Sequence, residues 1–421
     1  MSNNILTNTI ITREAARVLH QAGNFLGSVN QQYSDQYAQT GAKAGYTVNL
    51  RLPSRYTVRT GANLSTQDHY ERSTPFSVSS QYGVDVSFTT ADRTMALDDF
   101  SRRFIQPAMK QLAAKIEYDA LAVAYKSVHS YVNATTNTAL TYRYFQKMGQ
   151  SITDKLGPQA DRTAILSPAS MVEFLDATKG LFSSKSNLDE QFREGMMGRT
   201  GGFDVAENTL LPSHTTGSLA GSPLTNGATL GSSTTANVWL SQTDLNIDGA
   251  TSATTLKAGD IITISGVYEV HMETKANTGR LQSFVVQSDV TLTTQATGYT
   301  VTVKPALLWG SGNAFQNCTL SGVSDTDNNT VTRIGAASTT FGQDLAFHKD
   351  AFVFATVDLE DVSKYGADCS RAVSDSISLR FVQQYNSSYD SVVGRFDVLW
   401  GFAPLYPQLA VRHMYTQSLV V

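Results

Sequence analysis

Charge is scarce in this chain. Asp, Glu, Lys and Arg make up 16% of its 421 residues, against about a quarter in an ordinary soluble protein. The formal net charge is only −4, so the balance makes no electrostatic case for gripping a nucleic-acid backbone, which needs clustered Lys and Arg. Cysteine is scarcer still. Cys318 and Cys369 lie far apart and in no CxxC pair, so neither a disulfide framework nor a zinc site follows, and a reducing compartment is compatible. No stretch approaches the ~18 consecutive apolar residues of a membrane span. The opening MSNNILTNTIITREAARVL lacks a basic segment followed by an apolar run and does not read as a secretory signal. Sequons such as those at Asn133, Asn317, Asn328 and Asn386 then read as chance in a chain rich in Ser and Thr. The chain is expected to be soluble, made in a cytoplasm, and bound to no membrane.

Catalytic signatures are missing as well. The histidines (His20, His69, His129, His214, His271, His348, His413) form neither HExxH nor HxH, and no GxSxG, GxxxxGK[ST] or GxGxxG motif follows a strand. Gly195, Gly198, Gly201 and Gly202, in GMMGRTGGFDV, have the look of a phosphate loop but no following lysine; they read as a loop returning to a strand. Asp98 and Asp99 read as helix caps and dipole partners, with Arg102 and Arg103 as a solvated face. No cofactor and no metal is expected.

What is present suits folded, β-rich material. Hydrophobic residues are 41% and aromatics 10%, enough for cores, and the length points to two or three domains. Residues 1–40 are polar, with a short helix around Arg13 to Phe25 whose stripe (Leu19, Ala22, Leu26) is thin, an arm that lies on something else. Val48, Leu50 and Leu52 alternate with Thr47, Asn49 and Arg51 as a strand. After a polar stretch from Ser54 to Pro75, Phe76 and Val78, then Val84, Val86 and Phe88, alternate again. Two long strands joined this way make an extended arm that needs a neighbour, because an isolated ribbon is marginal.

From Asp98 to Val128 the period is helical, with Phe104, Ala108, Leu112, Ile116, Ala120, Val123 and Ala124 as a narrow seam and the main helix beginning at Pro107. A second helix runs from Thr141 to Leu156 on Phe145, Met148, Ile152 and Leu156, stopped by Gly157 and Pro158. RTAILS reads as a buried strand and SPASMVEFLDATKG as a helix capped by Ser167 and stopped by Gly180. No charged side chain occurs from 208 to 243. Short strands then follow around Ile262, Phe284, Val290 and Val301, so 215–340 reads as an inserted β-domain. SISLRFVQQYN and VVGRFDVLWGFAPLYP form a long hairpin with aromatics on one face.

One row is site-like. In GVYEVHMETK (266–275) a strand would place Glu269, His271 and Glu273 on one side and Val270 and Met272 on the other. Those three groups could hold a metal or move protons, or they are the wet face of a strand. The strand face is the plainer reading, since the insertion supplies no further fixed ligand or base.

The order of these segments resembles the major coat proteins of short-tailed phages of the P-twenty-two type. The resemblance is carried by GYTVNLRLP, DDFSRRFIQPAMKQLAAKIEYDALAVAY, RTAILSPASMVEFLDATKGLF, GGFDVAENTLLP, LKAGDIITISGVYEVHMETKANTGRLQSFVVQSDV and GRFDVLWGFAPLYP, spread over most of the chain. It implies an α+β Hong-Kong-ninety-seven-like capsid fold with an inserted all-β small barrel. The implied domains are an N-terminal arm (1–40), an extended β loop (41–93) and a peripheral domain with a spine helix (94–157). The axial domain would begin at 158–214, the inserted barrel would fill 215–340, and closing strands would occupy 341–421.

The resemblance further implies a structural, non-enzymatic role. Copies would self-assemble into hexamers and pentamers of an icosahedral head, with a scaffolding protein and a portal protein as partners and packaged DNA held without sequence-specific binding. The virion is the implied location. Charges at the loop tip (Arg55, Arg59, Asp68, Glu71, Arg72) become candidates for inter-subunit contact, since rim charges set register and partner choice. The resemblance implies a charged loop in the insertion that pairs neighbouring capsomers; 208–243 has no charge to supply it, and Asp244 and Asp248 are the nearest candidates. Three rivals remain: an encapsulin-like nanocompartment shell, an adhesin or fibre protein, and an enzyme using Glu269, His271 and Glu273.

Overall fold

A computed structural model describes residues 8–32, 47–89, 100–133, 140–178, 198–227, 239–292, 298–323, 327–387 and 391–416, apart from 22–23, 57, 60, 65, 67–71, 311–313 and 375–376. The chain divides into two units. One holds Met1–Asn49, Pro75–Leu121 and Phe352–Ala403; the other holds Leu50–Thr74, Ala122–Ala351 and Pro404–Val421.

The first unit packs helices on an antiparallel sheet. Its helices are α1 (Asn8–Gln21), α2 (Asn24–Ser28) and the first part of α3 (Gln106–Ser127), which a π-helical turn, Ser101–Ile105, precedes. Strands Phe352–Val357, Ser391–Pro404, Ile377–Asn386 and Asp368–Ser374 lie in that order, and Ser80–Thr89 also pairs with Ser391–Pro404. The hairpin sets Phe381 opposite Phe396, their rings 4.5 Å apart.

Three expectations change here. The N-terminal segment is not a bare arm: Ile11, Ala15, Ala16, Val18 and Leu19 are buried where α1 lies on strands Asp368–Ser374 and Ile377–Asn386. Ala15 and Ala16 widen the stripe by letting the helix approach closely, which a count of large apolar residues misses. Phe25 then packs against Phe352 and Phe402. Second, Ser80–Thr89 is a sheet strand, with Phe88 opposite Val392; only Thr47–Leu52 and Arg72–Ser77 form the two-stranded ribbon. Third, α3 buries a broad face, adding Met109, Ala113, Glu117 and Leu121, while Val123 is exposed.

The second unit has a body and an inserted barrel. In the body sheet, strands Tyr131–Val132, Ala410–Thr416, Thr340–His348, Arg162–Leu166, Phe203–Glu207 and Arg199–Thr200 follow one another. Against it lie α4 (Tyr142–Asp154) and α5 (Pro168–Thr178), which join a core of Phe145, Met148, Ile152, Phe174 and Phe203. Thr141 caps α4 and Ser167 caps α5, each hydroxyl accepting from a backbone N–H three residues on. Leu156 falls outside the α4 stripe: its backbone turns to φ +60 and its side chain is exposed. Gly180, the expected stop of α5, lies outside the described residues.

The chain leaves the body after Ser213–Thr215 and returns along Thr340–His348, with Thr215 directly opposite Thr340. Between them, strands Gly221–Thr225, Thr243–Ala250, Tyr299–Lys304, Asn277–Val286 and Ile261–Val270 pair in sequence, and Val331–Arg333 pairs with the last. A bridge from Leu224 to Thr330, with Thr225 N–H donating to the Asn329 carbonyl, closes the ring. Leu245, Ile247, Ile262, Ile264, Phe284, Val286, Val301 and Val303 fill its interior, as a small barrel requires.

Candidate functional site

The ribbon of Thr47–Leu52 and Arg72–Ser77 carries a loop on which large apolar side chains stand exposed. Val58 is 96% exposed and Leu64 83%, and Tyr56 is exposed beside them. Apolar groups held in water on a thin loop are what an intermolecular contact would remove from solvent.

The expected charged tip is only partly described. Arg59 donates to the Gly61 carbonyl. Asp68 and Glu71 lie outside the described residues, and Arg72 begins the second strand. Arg55 is half-buried, and burial lowers its guanidinium below the ordinary value against the opposing pull of Tyr406 and Glu273. Burial, with Arg55 nearby, also pushes the Lys275 ammonium down to about 8. Asp244 accepts from the Thr302 hydroxyl at 2.7 Å and Asp248 from the Asn226 side-chain amide at 3.1 Å; both stand on the barrel wall.

The row Glu269, His271, Glu273 is not one face of a strand. Gly266, at φ +80, sits where the pairing slips out of register. A Cβ there would stand 2.6 Å from the Val323 side chain, so the bulge needs glycine. The strand ends at Val270, and the His271 ring accepts from the backbone N–H groups of Glu273 and Thr274 in the following turn. Met272 joins a small core with Trp239, Ala306 and Leu308. Among the described residues no three His, Cys, Asp or Glu side chains gather as a metal site.

Glu269 is not a wet-face residue either. Its carboxylate meets Lys155 Nζ at 2.8 Å and Arg280 at 3.5 Å, while Arg280 also binds Asp154 at 2.8 Å. Burial alone would raise the Glu269 pKa, but Lys155 and Arg280 together hold it below the ordinary carboxylate value. Lys155 is buried between this carboxylate, the His129 ring nitrogen Nε2 at 3.2 Å and the face of Trp239. Burial first, then Lys155 and Arg412, hold His129 well below its ordinary pKa, so a neutral ring accepts from the ammonium.

A second joint ties barrel to body. The buried Asp260 carboxylate accepts from His214 at 2.8 Å, Gly217 N–H at 3.0 Å and Lys257 N–H at 2.9 Å. Fully buried Arg412 donates twice to the Gly259 carbonyl at 3.2 Å. Sequence reasoning missed Lys155, Arg280, Asp260 and Arg412, because single charged residues far apart in the chain carry no spacing signal.

Ser170, Asp344 and His413 have the residue types of a hydrolytic triad. The Ser170 hydroxyl donates to Asp344 Oδ2 at 2.6 Å, and His413 Nδ1 lies 2.9 Å from the same oxygen. A nucleophile needs its proton taken by the imidazole; here serine and histidine both feed the carboxylate, and all three are buried. Asp344 also accepts from Ser167 N–H, so the cluster pins the start of α5 to the sheet.

Comparison with known proteins gives matches over most of the chain. The family model "P22 coat protein - gene protein 5" matches residues 32–414. No curated protein matches the chain. Among solved structures, "Mycobacterium phage Che8" is similar at 10% identity and TM-score 0.45, covering 93% of this chain and 90% of that one. "Asymmetric unit of bacteriophage PhiM1 mature capsid" is similar at 10% identity and TM-score 0.40, with coverages of 89% and 83%. "CUS-3 coat protein I-domain" is similar at 24% identity and TM-score 0.20, covering 28% of this chain and 98% of that one.

Proposed function

We propose, from the premise that this chain belongs to the P22 coat protein family and is therefore a structural capsid protein of the virion, that its copies close into hexamers and pentamers of an icosahedral head around double-stranded DNA. The family match over residues 32–414 carries this reading. The exposed Val58 and Leu64 support it, because assembly gives them the burial that the single chain withholds. Each copy would gain only modest apolar area from its loop, which keeps single contacts reversible and lets a closing shell correct its errors.

The proposal extends to partners and contacts. A scaffolding protein directs closure, a portal protein occupies a vertex, and assembly takes place in the host cytoplasm. Arg55, Arg59, Asp68, Glu71 and Arg72 on the loop, and Asp244 and Asp248 on the barrel, meet neighbouring subunits and set register. The near-neutral chain holds DNA without gripping it. The inserted barrel, 215–340, stabilises the subunit and steers assembly, and an encapsulin-like shell is not favoured.

Electron microscopy of the expressed chain, alone and with a scaffolding partner, tests this. Uniform hollow shells are expected; discrete small oligomers under both conditions would refute it. Deleting 215–340 should leave subunits that misfold or close wrongly, and normal shells from that deletion would remove the barrel's assembly role.

A further inference from the structure

Strand Ile261–Val270 carries a different joint at each end. At its start, Asp260 and the neighbouring Gly259 carbonyl are held by His214 and Arg412. The same end is dry: Ile261 and Val285 of the barrel cluster with Phe341 and Met414 of the body. At its far end, beyond the bulge at Gly266, Glu269 meets Lys155. Between the two ends a cleft of about 450 Å³ separates Ser130, Tyr131 and Ser151 of the body from Thr263, Leu281 and Ser283 of the barrel.

The two joints differ in kind. The first is sealed by apolar packing, and its carboxylate takes three hydrogen bonds from named donors. The second is an ion quartet whose outer pair is wet: the Asp154 side chain is 35% exposed and that of Arg280 45%. Exposed pairs of this sort contribute about 1 kcal/mol at most and weaken with salt. Ser130 is buried on the cleft wall, yet its Oγ has no hydrogen-bond partner among the described residues.

We propose that the inserted barrel rocks on the body, with Asp260 and Arg412 as pivot and the pairs Lys155–Glu269 and Asp154–Arg280 as a latch whose release opens the cleft between them. The outer pair parts first. Lys155, enclosed by Glu269, His129 and Trp239, parts second. The barrel strands stay paired throughout, since their core lies inside the ring and not in the joint.

Thiol labelling of the full-length subunit reads this motion directly and does not depend on shell formation. Ser130→Cys puts a probe on the cleft wall, Cys369→Ser removes the half-exposed native thiol, and Cys318, buried in the barrel core, reports barrel unfolding. Arg280→Gln should speed labelling at position 130 by up to about fivefold, as a local opening made roughly 1 kcal/mol easier would, with Cys318 unchanged. Raising salt from about 0.05 to 0.5 M should move the parent in the same direction. Lys155→Met provides the second variant, acting on the buried pair. Rates at position 130 staying within about twofold of the parent in both variants would overturn the proposal. So would acceleration of position 130 and Cys318 together, which means unfolding in place of rocking.

Discussion

The inserted barrel and the extended loop are built from similar β-prone sequence, yet they solve the burial problem in opposite ways. The barrel closes on itself, and the side chains of Phe284, Val286 and Val301 reach no solvent. The loop, on its two-stranded ribbon, leaves Val58 and Leu64 in water. The difference is one of topology: six strands in a ring enclose a volume, and two cannot. One region buries its apolar side chains within the subunit, and the other leaves apolar surface that the proposed assembly would cover.

Substitutions that separate subunit stability from assembly break or sharpen this contrast. The largest effect on the free subunit is expected for Phe284→Ala, about 3–5 kcal/mol from lost burial and the cavity left behind, measured by urea unfolding. Gly266→Ala should cost about 1–3 kcal/mol, because alanine at φ +80 is strained and its Cβ meets Val323; the same unfolding curves decide it. Glu269→Gln tests the joint by pH. The Glu269 pKa is held below its unfolded value, so its contribution is fully present above about pH 4.3. That contribution fades as pH falls through the lower folded value. The melting-temperature gap between parent and variant should therefore be constant near neutrality and shrink in acid. The smallest effect on the subunit is expected for Val58→Asp with Leu64→Asp, within about 0.5 kcal/mol. The same pair should abolish shells under the electron microscope, and shells of normal yield would remove the loop from the interface.

Local periodicity made much of the fold legible. Phe145, Met148 and Ile152 announce α4, Ser167 and Pro168 announce α5, and alternation marks the strands at Ile262, Phe284 and Val301. Partnership was the hidden part. Nothing in Val84, Val86 and Phe88 says that their neighbour lies some three hundred residues on, opposite Phe396 and Val392. The row in GVYEVHMETK misled for a similar reason. A period of two assumes an unbroken strand, and Gly266 breaks the register before Glu269 is reached. What looked like a row of three became one carboxylate in an ion quartet, one imidazole in a turn and one residue beyond the strand. The apolar loop was foreseeable as an arm, but the exposure of Val58 could not be, since exposure belongs to the fold around a residue.

The adjacency of Thr215 and Thr340, whose hydroxyls lie 2.8 Å apart, has a consequence for how the insert is attached. A segment that departs and returns through neighbouring positions of two paired strands interrupts its host no more than a hairpin does. Replacing 216–339 with a tight turn should therefore keep Thr215 opposite Thr340 while stripping the barrel's cover from Phe341 and Met414.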